Sequence, residues 1–162
     1  MKILAISDNV LPQLEEPSYL RRTYTDVEAV ISCGDLPGPY MEMIVTTLNL
    51  PLLFVRGNHD LQYKPDSPGG DNLDGRVVKL KGLTIAGLEG SPRYNQEPIQ
   101  YTETAMYTKV LGFAPGMLLR RLRTGYGVDI MVTHAPPRDI HDQSDKPHRG
   151  FRSLRFLIDQ AQ

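Results

Sequence analysis

Two apolar runs in this chain end in the same way. Leu52-Leu53-Phe54-Val55 leads through Arg56 into Gly57-Asn58-His59-Asp60, and Ala29-Val30-Ile31-Ser32-Cys33 leads into Gly34-Asp35. Each reads as a buried strand that stops at a glycine turn and presents polar, ligand-type side chains at its C-terminal end. In open α/β sheets that edge is where ligands bind. A carboxylate, an amide and an imidazole delivered to one edge are the means of metal and phosphate chemistry.

The rest of the chain is organised around these blocks. Residues 3–7 read as a first strand, followed by Asp8. Helical segments are expected at 16–23, with Pro17 in the first turn, and at 39–48, where Met41, Ile44, Val45 and Leu48 fall at helical spacing. Strands alternating with helices favour a parallel α/β arrangement. Residues 58–75 form a long polar loop, and 76–88 read as a hairpin around Lys81-Gly82. Residues 90–101 are expected to be a loop. A helix runs from 103 to about 111, broken by Gly112 and Pro115, with a second piece over 115–123. Its Arg120-Arg121-Leu122-Arg123 cluster sits where a helix C-terminus favours cations, which accounts for it without a ligand. Residues 128–133 form a further strand ending in His134. A last helix over 150–160 places Phe151, Leu154, Leu157 and Ile158 on one face.

Composition narrows the setting. A length of 162 residues suits one domain with a full core, and a net charge of -1 indicates neither nucleic acid nor an anionic membrane as partner. No apolar run approaches the roughly 18 residues of a membrane-spanning helix. The opening run of residues 3–6 is too short for the apolar part of a signal peptide. The single cysteine, Cys33, excludes an internal disulfide and reads as a small buried hydrophobe, so a cytoplasmic location is expected. Nothing in the composition indicates an oligomeric state.

Four strand ends thus carry metal-ligand side chains: Asp8, Asp35, Asn58 with His59, and His134. Carboxylate, amide and imidazole donors suit Mn, Fe or Zn better than Ca or a thiolate site. Two other segments are expected to reach a substrate. In 90–95, the Arg93 guanidinium and Asn95 amide suit a phosphate. The segment after His134 adds His141 and His148, of which His148 is expected as a substrate contact.

These motifs resemble those of the calcineurin-like metallophosphoesterase superfamily: an Asp after the first strand (Asp8), Gly34-Asp35, Gly57-Asn58-His59-Asp60 and a late-strand His134. The resemblance runs from about Ile3 to Ile158. It implies an α/β sandwich of two mixed β-sheets flanked by helices, with the site at their joined upper edge. It also implies that Asp35 bridges two cations about 3.5–4 Å apart, and that Asp8, Asn58 and His134 complete the ligands. One or two divalent ions are expected, Mn before Fe or Zn. A hydroxide generated on the metal would attack a small phosphomonoester or phosphodiester. His59, oriented by Asp60, would act at the leaving oxygen.

Two departures from the family pattern qualify this. The family's first motif is Asp-x-His, whereas here Asp8-Asn9 is followed by Val10, which cannot ligate. The family's closing Gly-His-x-His is absent from the sequence, which ends at Gln162. The expectation is a single domain over 1–162 that lacks its C-terminal portion, with an incomplete metal site. The alternative is a metal-poor, catalytically inactive scaffold that binds other proteins.

Overall fold

Strands β1 (Ile3–Ile6), β2 (Ala29–Ser32), β3 (Leu52–Phe54) and β4 (Asp71–Asn72) pair in that order, all parallel. They belong to a computed structural model that describes residues 1–61, 68–125 and 127–161. Residues 62–67 of the expected polar loop lie outside this description. Helices α1 (Pro17–Thr23) and α2 (Gly38–Leu48) make the crossovers between the first three strands. The side-chain period of two sorts each apolar run between two cores. Val30, Leu52 and Phe54 pack with Leu20 of α1 and with Met41 and Ile44 of α2. Ile31, Leu53 and Val55 point the other way, against Ile85 and Val132 of a second sheet. Burial on both faces is why these strands read as continuous apolar runs rather than alternating ones.

The second sheet contains β5 (Val77–Leu80), β6 (Leu83–Leu88) and β9 (Ile130–Thr133). β5 and β6 form the expected antiparallel hairpin. Both residues of its two-residue turn, Lys81 and Gly82, have positive φ, as the twist of a tight hairpin demands. β9 joins β6 in parallel. The sheets come close at Gly87, where a Cβ would stand 2.4 Å from the Leu73 Cβ and 2.8 Å from Val55 Cγ1. The outer face of the second sheet packs on α3 (Glu103–Thr124) through Met106, Val110 and Phe113. It packs on α4 (Arg152–Ala161) through Leu154 and Leu157. The layers therefore run helices, parallel sheet, mixed sheet, helices. The two sheets and their flanking helices match the expectation, with mixed pairing confined to the second sheet among the described strands.

Three expectations need correction. The expected loop over 58–75 contains strand β4, which pairs with β3. Residues 90–101 are not only loop: β7 (Ser91–Pro92) and β8 (Gln100–Tyr101) pair in parallel and close the segment between them. α3 is one helix of 22 residues, with Pro115 inside it. A proline there removes the amide that would bond the Leu111 carbonyl. Leu111 is exposed, so water can take that donor's place and the helix continues. No helix among the described residues is long and apolar enough to cross a membrane.

Candidate metal centre

The C-terminal ends of β1, β2, β3 and β9 meet at one edge. Asp8 and Asp35 both sit there in the left-handed region, at φ 60° and 57°. Non-glycine residues adopt that conformation at a cost that tends to concentrate at functional sites. The Asp8 amide donates to the Gly34 carbonyl at 3.1 Å and so ties the first strand end to the second. Gly57 makes room for the site. A Cβ there would lie 2.0 Å from Asp35 Oδ1 and 2.7 Å from His134 Cε1, so any side chain would drive both groups out.

Asp8, Asp35 and His134 each offer a ligand atom, and the three atoms lie within 4.8 Å of one another. The geometry at His134 shows what they suit. Its Nδ1 is 2.8 Å from the Cys33 carbonyl. A carbonyl only accepts, so Nδ1 carries the hydrogen, and Nε2 of the neutral ring is left with a lone pair. That Nε2 faces two further acceptors, Asn58 Oδ1 at 3.2 Å and Asp35 Oδ2 at 3.5 Å. With the hydrogen on Nδ1, three electron-pair donors converge at Nε2. A cation placed among them would relieve the repulsion, and the nearby Asp8 carboxylate supplies a further oxygen donor for it. The residues present fit a divalent ion, with oxygen donors outnumbering nitrogen. The backbone bond at Nδ1 fixes the ring as metal-ligating histidines are commonly fixed.

Cys33 serves through its carbonyl rather than its sulfur. Burial, followed by the charge of Asp8, pushes its thiol up from the ordinary range, so the sulfur stays neutral.

The donors open into a cavity of about 310 Å³. His59 is exposed and lines it, while its backbone amide donates to Asp35 Oδ1 at 2.9 Å. His148 also lines it, with Nδ1 2.6 Å from Asp145 Oδ2. Val10, 39% exposed, is not among the lining residues.

Three expectations are overturned. Asp60 does not orient His59. Its Oδ2 accepts from the backbone amides of Asp35 at 2.7 Å and Gly57 at 2.8 Å, and no hydrogen bond to the His59 ring occurs among the described residues. Burial pushes the Asp60 carboxyl up, opposed by those two amides. Arg93 turns away from the cavity, where it donates to the Gln100 carbonyl and lines a separate cleft with Arg138. Asn95 is exposed, and its Oδ1 accepts from the Glu97 amide in a local turn. In their place the cavity takes Ser91 and Tyr94 from the same segment, and His141 and Gln143 from the loop after β9. His141 carries a signal of its own, since its φ of 55° makes it a third strained residue at this cavity.

A part-buried charge network that sequence reasoning does not anticipate joins the ends of β3 and β6 to α3. Arg56 Nε and Nη2 grip the Glu89 carboxylate at 2.6 and 3.0 Å. Tyr101 donates to the same carboxylate at 2.6 Å. Lys109 stands 4.1 Å over the Tyr101 ring and pairs with Asp74 at 2.8 Å.

Comparison with known proteins agrees with this geometry. Among curated proteins no relative matches the chain. Residues 1–114 match the family model described as the calcineurin-like phosphoesterase superfamily domain, a stretch that includes Asp8, Asp35, Asn58, His59 and Asp60. That superfamily consists generally of phosphoesterases and typically binds divalent metals. With the match covering well over half of its 162 residues, the chain belongs to the calcineurin-like phosphoesterase superfamily.

Proposed function

We propose that the chain is a metal-dependent hydrolase of small phosphomonoesters or phosphodiesters. The observation that carries this reading is the convergence of Asp8, Asp35, Asn58 and His134 on one point at the floor of a cavity. A divalent ion held there would supply Lewis-acid polarisation of the phosphoryl group and lower the pKa of water. Three oxygen donors to one nitrogen favour Mn over Zn. Asp35 is the central holder: one of its oxygens faces His134, and the other is fixed by the His59 amide. His134 turns Nε2 toward the donor cluster because the Cys33 carbonyl accepts from Nδ1. His59 lines the cavity outside the donor cluster, which suits it to give a proton to the leaving oxygen. His148 reaches the same cavity as a substrate contact. A cytoplasmic setting is consistent with Cys33, a lone thiol kept neutral by burial.

A second reading rests on Val10. Where a histidine donor would strengthen the Asp8 side, the chain has a half-exposed valine outside the cavity lining. This favours a fold that keeps its architecture and binds metal too weakly for catalysis.

One experiment separates the two. Purified protein is titrated with Mn²⁺ by calorimetry, then assayed on an aryl phosphate and on a bis(aryl) phosphate. Binding together with hydrolysis of either ester, both abolished by Asp35→Asn, is the expected result. Neither binding nor hydrolysis would establish the scaffold.

A further inference from the structure

We propose that Tyr94 is a working part of this site: its hydroxyl orients the Asn58 amide and donates a hydrogen bond to an oxygen of the phosphoryl group. The proposal rests on the phosphoesterase reading above.

The Asn58 Nδ2 lies 3.1 Å from the Tyr94 hydroxyl, and Asn58 Oδ1 points at His134 Nε2. A cation at the donor cluster requires the amide oxygen to face it. The amide nitrogen must then face Tyr94. An amide nitrogen only donates, so the phenol oxygen accepts and its own hydrogen is directed elsewhere. No described residue takes that hydrogen. Tyr94 lines the cavity together with Asp8, Asp35 and His59, so the free O–H is available to a ligand there. The cavity offers few other neutralising donors, because no lysine or arginine lines it among the described residues. A phosphoryl oxygen turned away from the donor cluster therefore has hydroxyl and imidazole hydrogens to meet, and Tyr94 holds one next to Asn58.

The surroundings of Tyr94 make its position specific rather than incidental. The backbone amides of Tyr94 and Asn95 both donate to Gln100 Oε1 at 3.1 Å, and Gln100 is 2% exposed. The β7–β8 pairing sets Ser91 beside Gln100 and closes the segment. The segment is also anchored to the strand end that bears Asn58. Gly90 donates to the Arg56 carbonyl at 2.8 Å, and the Arg56 side chain pairs with Glu89 at 2.6 Å. Arg56 precedes Gly57-Asn58, and Glu89 precedes Gly90-Ser91. One part-buried pair thus fixes both sides of the Tyr94–Asn58 contact, so the hydroxyl meets the amide without a loop having to be ordered first.

The test is Tyr94→Phe, which keeps the ring and removes the hydroxyl. Mn²⁺ affinity is measured by calorimetry, and inorganic phosphate affinity is then measured at saturating Mn²⁺. Asn95→Ala, outside the cavity, is the neighbouring control. The expected result is about a 10-fold loss of Mn²⁺ affinity, the lower end for loss of a group that orients a ligand. A further loss of roughly 5- to 10-fold in phosphate affinity is expected, the scale of one hydrogen bond. The thermal midpoint should stay near that of the wild type, and the control should match the wild type throughout. If the wild type binds Mn²⁺ and phosphate and Tyr94→Phe binds both equally well, the role of Tyr94 is overturned while the phosphoesterase reading stands. If the wild type binds neither, both fall together.

Discussion

The Asp60 carboxylate oxygen that lies 2.7 Å from the Asp35 amide also lies 2.8 Å from the amide of Gly57, so one buried side chain clasps the turns that end two neighbouring strands. Asp60→Ala leaves both amides without a partner in a protected place. We expect a loss of about 2–4 kcal/mol in the metal-free protein, measured by urea denaturation. A loss below about 0.5 kcal/mol would mean that the clasp is not structural.

Gly57→Ala tests the space around the donors. The new methyl would overlap Asp35 Oδ1 and crowd the His134 ring. Mn²⁺ affinity is expected to fall at least about 10-fold, since ligand placement within a few tenths of an ångström is what a metal site requires. An unchanged isotherm would show that these groups are not the ligands.

Asp35 and Asp8 are both carboxylates, yet they are not equivalent. Asp35 contacts His134 and the His59 amide, whereas Asp8 is exposed and hydrogen-bonded to its neighbour Ser7. Asp35→Asn should therefore strip more metal than Asp8→Asn when the purified variants are compared by elemental analysis. Equal contents would remove Asp35 from its central position.

The two histidines should separate in the same way. His59→Ala is expected to cut turnover on an aryl phosphate by roughly 10²–10⁴, the usual range for a lost general acid, with metal content retained. His134→Ala should lose metal as well as turnover, because its Nε2 belongs to the donor cluster. The reverse pattern would exchange the two assignments.

Pro115→Ala probes the continuity of α3. In an uninterrupted helix, alanine restores the missing amide and should raise stability by about 1–3 kcal/mol, read as a higher midpoint in denaturant. No gain would indicate a helix already divided at that point.

Much of the donor set could be read from sequence because each donor directly follows a strand with a strong apolar signature. Asp8, Asp35, Asn58 and His134 needed only the local rule that strands stop at glycine or polar turns. Asp60 could not be read this way. Its partners are backbone amides, one of them 25 residues away, and amides carry no mark in a sequence. Arg93 and Asn95 suit a phosphate by residue type, but the direction of side chains in that segment depends on the buried Gln100 oxygen, which holds the backbone from across a short strand pair. His141 reaches the cavity through a left-handed turn that its residue type does not announce. Pro115 reads as a break because the rule assumes a carbonyl with no alternative partner, whereas this one has solvent nearby.

The loop after β9 is bound mainly to itself. Arg138 Nε donates to the Gly150 carbonyl at 2.9 Å, Gly150 donates to Asp142, and Gln143 donates to the His148 carbonyl. The donor cluster, by contrast, is tied together by the backbone of the strand ends. Residues of this loop can therefore be exchanged without disturbing the floor. On the proposed function, changes in that loop would alter which ester enters the cavity and leave the metal-binding floor as it is.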